Sequence, residues 1–375
     1  MASADIDYAR NIKKYEKLVA RNKWQVSQLP SWAPGVKNKP IIISEGDSWF
    51  DYPVKSLTDV LGVLLRYTTG LQNFGMDSKT NVIDFVSRDD DLNGIFLRIE
   101  RSGDHAQELA SKTPDKCDGV WEDKFPSQTL YTALQNKTVS KHLDCIMLSA
   151  GGNDMVNAVR HGGIQTYASS WDKSYDFDVI RAAAVEIVQF YLQAILYRDQ
   201  FSPKANILCH SYAYATQVYR GTTTQFDMKD VGWLIEKLLG VSKLPWIEKG
   251  LSVVGVDIKD VGSYTMQSDS NLHKTLDDFG WPANPINDEK VGVHPERAEF
   301  IKLMLDSLYD EVQRIPELYK AETGKDIIGF YHLDIRNEVQ DPKYWADFIH
   351  LNSLGYQKVG EKFVKKLQSI LSSKN

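Results

Sequence analysis

The sequence predicts an α/β protein built on a mainly parallel sheet with helices covering both faces. Three observations carry this. Short apolar runs rich in β-branched residues recur, each breaking into Gly and polar residues at its carboxyl end, as buried strands do where they leave a sheet. Segments with apolar residues at helical spacing lie between them. Strands that alternate with helices build βαβ units, whose crossovers place helices on both sides of a parallel sheet.

The elements follow in order. The polar start MASADIDYARNIKKYEKL predicts a helix near residues 4–23, followed by a Pro- and Trp-rich lead-in, LPSWAPG. KPIIISEGDSWF is the first buried strand and the turn that ends it. Past Pro53, Ser56-Leu57-Thr58-Asp59 has the form of a capping box, and Leu57, Val60, Leu61, Leu64 and Leu65 predict a helix packed back on that strand. NVIDFV (81–86) reads as a strand or short connecting element, GIFLRIE (94–100) as a strand, and HAQELA (105–110) as the start of a helix. LDCIMLSAGGND (143–154) is a second buried run breaking into a Gly pair. A long helix is expected over 178–199, with Ile180, Ala184, Ile187, Tyr191 and Ile195 on one face. Strand ANILCHSYAY (205–214) comes next, then an irregular stretch to about 294, a helix over 295–314, strand DIIGFYHLDI (326–335) and a helix over 353–371.

Composition narrows the function classes. Of 375 residues, 42% are hydrophobic and 25% charged, which supplies a core and excludes collagen-like and disordered chains. The length is more than twice the usual domain of ~150 residues and leaves two domains or one enlarged domain open. The 44 basic and 50 acidic residues give a net charge of −6. A surface that tracks phosphates needs a concentrated basic face, so nucleic acid is not an expected partner. The densest basic cluster, Lys362, Lys365 and Lys366, reads as a solvated helix face.

Cys117, Cys145 and Cys209 form no CxxC pair, and the last two sit in apolar runs as buried free thiols do. The first residues lack the apolar core of a secretory signal. No uninterrupted apolar run reaches the ~18 residues that span a bilayer. The cytoplasm is the default location, and a mature secreted form would read the same. Nothing in the pattern specifies an assembly state.

In open α/β sheets the reactive groups gather beyond the carboxyl ends of the strands. The first strand is followed by Gly46-Asp47-Ser48-Trp49, the 94–100 run by Ser102-Gly103-Asp104, and the 143–150 run by Gly151-Gly152-Asn153-Asp154. The last strand is followed, after a loop, by Asp347-Phe348-Ile349-His350. These segments offer what acyl transfer requires. A Ser48 hydroxyl needs an adjacent base, and the His350 imidazole suits that task near neutral pH. A carboxylate at Asp347 would fix the imidazole tautomer. The Asn153 amide and the Gly103 and Ser48 N–H groups would face a developing oxyanion.

Taken in this order, GDSW at 46–49, Gly103 in SGDHAQEL, GGND at 151–154 and DFIH at 347–350 resemble the four sequence blocks of the SGNH hydrolases, the GDSL-type esterases and lipases. The resemblance runs from about residue 40 to 371. It implies a three-layer α/β/α flavodoxin-like sandwich and a serine hydrolase that cleaves carboxylic esters without a cofactor. It implies Ser48 as nucleophile, Asp347 and His350 as its partners, and Ser48, Gly103 and Asn153 as the oxyanion hole. The usual Leu after GDS is Trp49 here, which is expected to place an aromatic wall beside the nucleophile. The G-x-S-x-G elbow of α/β-hydrolases is absent, because Phe50 takes the second Gly position.

Taken singly, Ser48 fits a capping serine, Gly103 a turn glycine and Asn153 an Asx-turn residue. Only their combination carries the functional reading. Asp47 reads as a turn stabiliser and Asp154 as a cap. His105 and His210 are candidate pocket residues, set beside the readings of an exposed first-turn histidine and a hydrogen-bonded core histidine. His142, His161, His273, His294 and His332 lack HxxxH or HxH spacing, so no metal site is expected.

The gap from Asn153 to Asp347 is far longer than the gaps separating Ser48, Gly103 and Asn153. The chain therefore divides into an N-terminal extension (1–38) and a hydrolase domain (39–375) with an insertion at about 215–294. That insertion carries Phe226, Trp233, Trp246 and Trp281 and reads either as a cap over the site or as a subdomain at its side. The expected partner is a small-molecule ester, lipid-like or an acetylated sugar. An O-acetyl esterase is the rival within enzymes, and a binding protein on the same fold the rival outside them.

Overall fold

Runs that are apolar at successive positions, rather than at every second one, bury both faces of a strand. β2 (Ile41–Gly46), β3 (Ile95–Arg98), β4 (Cys145–Ser149) and β5 (Asn206–His210) are buried at every residue. In the computed structural model, which describes residues 7–28, 38–50, 81–101, 104–113, 128–158, 176–214, 295–345 and 350–372, they join β6 (Phe330–Leu333) and a two-residue β1 (Tyr8–Ala9) in one sheet. The order is β1-β3-β2-β4-β5-β6, and every pairing is parallel. Without β1 this is the flavodoxin-like order. The chain steps from β2 to β3 on one side, then passes back across β2 to β4. That reversal opens a crevice between the carboxyl ends of β2 and β4, where ligands of such sheets bind.

The helices are α1 (Ile12–Gln28), α2 (Val82–Ser87), α3 (Leu130–Gln135), α4 (Lys137–Ser140), α5 (Gly152–Ala158), α6 (Phe177–Phe201), α7 (Pro295–Gln313), α8 (Ile315–Thr323) and α9 (Ser353–Ser372). Several starts are capped as the sequence dictates. Asn81 Oδ1 accepts from the Asp84 N–H, Thr129 and Thr132 form a capping box, and Asp176 accepts from the Asp178 and Val179 N–H groups. One face of the sheet is covered by α2 and α9, with Gly360 letting α9 approach Phe85 and the Phe363 ring 5.7 Å from that of Phe50. The other face is covered by α6 and α7. There the Tyr191 hydroxyl of α6 donates to the Ala150 carbonyl, and Ile187 and Leu308 close around Gly151. The result is a three-layer α/β/α sandwich.

A buried ionic group crosses the layers. Arg98 Nε donates to Glu100 (2.5 Å) and Nη1 to Asp84 (2.6 Å), while Ser44 Oγ donates to Glu100 (2.7 Å). Arg98 also reaches the Phe50 carbonyl (3.4 Å), tying β3 and α2 to the turn that follows β2.

The structure differs from the sequence reading in several places. Where NVIDFV suggests a strand or a short connecting element, Val82–Ser87 form helix α2; a short apolar run satisfies either period, and the Asn81 cap decides. The N-terminal helix begins at Ile12, because Tyr8 and Ala9 pair with Phe96 and Leu97 as an edge strand. Residues 8–28 are thereby part of the sandwich, with Tyr15 and Val19 buried. The 106–110 segment is a single 3₁₀ turn, and the last strand is 330–333 rather than 326–335. The helix expected at 57–65 and the 215–294 insertion lie outside the described residues. By length and composition α6 is apolar enough to cross a membrane, but here its apolar side packs into the core.

Candidate active site

The crevice between β2 and β4 is built from their C-terminal residues. β2 ends on Gly46, whose φ of +151° and approach to the Ser149 carbonyl leave no room for a Cβ. The next four residues turn sharply. The Asp47 N–H donates to the Ser149 carbonyl (2.9 Å) and the Phe50 N–H to the Asp47 carbonyl (3.0 Å). This turn carries Ser48. Its hydroxyl lies 2.8 Å from His350 Nε2, a contact between residues from opposite ends of the chain. His350 is placed by the segment leading into α9, where Leu351 bridges to Trp345 and the Asn352 N–H donates to the Tyr344 carbonyl.

Asp47 is the hub beneath the turn. Its Oδ1 accepts from Ser149 Oγ (2.8 Å) and the Trp49 N–H (3.1 Å), and its Oδ2 accepts from the Tyr212 hydroxyl. One carboxylate thus joins the ends of β2, β4 and β5. Burial pushes its pKa up to about 6, against the pull of the Tyr212, Ser149 and Trp49 hydrogen bonds and of nearby His350. The Tyr212 phenol is raised by burial and by the charge of Asp47. Gly152 packs on the Tyr212 ring, bringing the second loop against the first.

That second loop starts α5 and holds Asn153. The Asn153 Nδ2 donates to the Asp104 carbonyl (2.8 Å), which lies next to Gly103 in sequence. Asp154 Oδ2 accepts from the Ala106 N–H (2.9 Å), and its Oδ1 is 3.3 Å from His105 Nδ1. His105 Nε2 is 3.4 Å from Asn157 Nδ2. The Arg101 N–H donates to the Gly46 carbonyl (2.8 Å), closing the β3 loop onto the Ser48 turn.

Of the residues singled out in the sequence, Ser48 and His350 meet, and Asn153 meets the loop after β3. Gly103 and Asp347 lie outside the described residues. Trp49 and His210 are not at the rim. Trp49 is 4% exposed, with its ring among those of His210, Tyr212, Trp345 and Tyr356. It supports the turn from below instead of forming a wall beside Ser48, because an indole following a tight turn is stabilised most by burial in the core. His210, the last residue of β5, stacks on Phe50. Burial pushes its pKa down to about 3, so it is a neutral core histidine. His105 is partly exposed, with its ring held by Asp154 and Asn157.

Sequence reasoning missed the supporting roles of Ser149, Tyr212 and Arg98. The available signals were a polar residue closing a buried run and an Arg inside one.

No family pattern matches the chain, and no curated protein matches it. Among solved structures, an extracellular lipase from Streptomyces rimosus is similar at 11% identity and a TM-score of 0.39, over 88% of this chain and 99% of that one. A candidate platelet activating factor from Streptococcus pneumonia is similar at 11% identity and a TM-score of 0.32, over 95% and 94%. Both likenesses are loose. The fold assignment rests on strand order and register.

Proposed function

We propose that the chain is a serine hydrolase that cleaves carboxylic esters through an acyl-enzyme. The observation that carries this is the 2.8 Å contact between Ser48 Oγ and His350 Nε2 at the crevice between β2 and β4. With its proton on Nδ1, the imidazole takes the hydroxyl proton as Oγ bonds to the ester carbon. Collapse of the tetrahedral intermediate breaks the C–O bond, and the leaving alkoxide receives that proton from Nε2. Water then repeats the sequence on the acyl-enzyme and frees Ser48. Asp347 is assigned the task of orienting Nδ1–H, and the Ser48 and Gly103 N–H groups with the Asn153 amide that of receiving the oxyanion.

Two features support the assignment. Ser48 sits on a turn braced by Asp47 and by the Arg98 contact to Phe50, so its hydroxyl is held in place before substrate arrives. Asn153, in the first turn of α5, is held through its amide Nδ2 by the Asp104 carbonyl of the loop after β3. The test is hydrolysis of short p-nitrophenyl esters by wild type and Ser48→Ala. A folded variant that loses about 10⁴-fold or more in kcat is expected; an unchanged rate would remove Ser48 from the chemistry.

A further inference from the structure

Three consecutive residues, 104 to 106, are held by three side chains of α5. Asn153 Nδ2 binds the Asp104 carbonyl, Asp154 Oδ1 faces the His105 ring, and Asp154 Oδ2 accepts from the Ala106 N–H. Asn157, one turn further, approaches the other nitrogen of the His105 ring. Both oxygens of Asp154 are thus directed at the 104–106 segment, which is more than the helix cap expected from sequence.

The orientation of the Asn153 amide depends on this stitching. A carboxamide presents two donors at Nδ2 and an acceptor at Oδ1. The Asp104 carbonyl is an acceptor only, so it selects Nδ2 for its side of the amide. The second N–H on the same nitrogen is then the one left for a developing anion. Were the Asp104 carbonyl to drift away, the amide would be free to rotate and present Oδ1, an oxygen that repels an oxyanion.

We propose that Asp154 is a positioning residue that docks residues 104–106 onto α5 and so fixes the Asn153 amide with its donor face toward the oxyanion. This rests on the serine-hydrolase reading above. Asp154 touches no reacting atom in this scheme; it acts through Asn153.

A double-mutant cycle tests it, with kcat and KM measured on p-nitrophenyl acetate and folding checked by circular dichroism. Asp154→Ala is expected to lower kcat by about 10²-fold, the lower end of the loss of one oxyanion donor, with KM changed less than about threefold. In an Asn153→Ala background the same change is expected to have almost no further effect, because the residue through which Asp154 acts is gone. Asp154→Asn keeps an acceptor for the Ala106 N–H, is nearly isosteric, and is expected to recover about tenfold or more of the lost kcat.

Equal losses of kcat from Asp154→Ala in the wild-type and Asn153→Ala backgrounds would overturn the proposal, as would a folded Asp154→Asn no better than Asp154→Ala. Ser48→Ala, run alongside, separates the two claims. If Ser48→Ala retains wild-type hydrolysis, the hydrolase reading and this proposal fall together. If it is inactive and the cycle is additive, only the role of Asp154 falls.

Discussion

Replacing Asp47 by Asn removes one buried charge from beneath the Ser48 turn while keeping its shape. The Asn Oδ1 can still accept from Ser149 Oγ and the Trp49 N–H, and Nδ2 would face the Tyr212 hydroxyl, which can turn to accept. Burial moves the Asp47 pKa from 3.8 up to about 6 in the folded chain. Between these values the folded state holds a proton that the unfolded state has released. Stability from this group is therefore greatest below the lower value, falls as pH rises through about 6, and is flat above it. The displacement is worth about 3 kcal/mol at ~1.4 kcal/mol per tenfold change in proton affinity. Asn does not titrate. Urea unfolding of wild type and Asp47→Asn, followed by Trp fluorescence across about pH 4 to 8, is expected to show the variant gaining on wild type by about 2.5 kcal/mol as pH rises, the rest of the displacement lying below pH 4. A stability difference that stays constant over that range would refute the reasoning, since a group with an ordinary carboxylate pKa has finished titrating near the bottom of the window.

Two substitutions test the frame around the site. Gly46→Ala forces a Cβ onto the Ser149 carbonyl at a φ of +151°, and is expected to lower stability by about 2 kcal/mol or more in urea unfolding; a loss under about 0.5 kcal/mol would show that the turn relaxes freely. Arg98→Met leaves the Asp84 and Glu100 carboxylates buried without that guanidinium, and is expected to cost about 3–5 kcal/mol by the same assay. A cost below about 1 kcal/mol would mean that the network contributes little to holding Phe50 and the turn.

The sheet is legible because its strands are buried on both faces, so III, CIML and ILC stand out as apolar runs without alternation. The strand ends were legible for the same reason: a break from apolar residues into GDS or GGND is abrupt. Tyr8 and Ala9 were not, because two residues cannot display a period. Residues 81–86 read as a strand or a short connecting element because Val82, Ile83 and Val86 are as compatible with a short helix as with a strand, and only the Asn81 cap separates them. At the site, sequence singled out Ser48, His350 and Asn153 but missed the residues that hold them. Tyr212 and Ser149 reach Asp47 across the sheet, and such contacts depend on strand order, which local pattern does not contain. Trp49 went the other way. An aromatic beside a serine reads as a pocket wall until the rings of Tyr356 and Trp345 are found packed against it.

The most direct test of the hydrolase account is covalent labelling. Wild-type protein is treated with a fluorophosphonate probe, digested, and the adduct located by mass spectrometry. A single adduct on Ser48, lost in His350→Ala because the hydroxyl then lacks its base, is the expected result. An unlabelled Ser48, or labelling that persists at the same rate without His350, would contradict it.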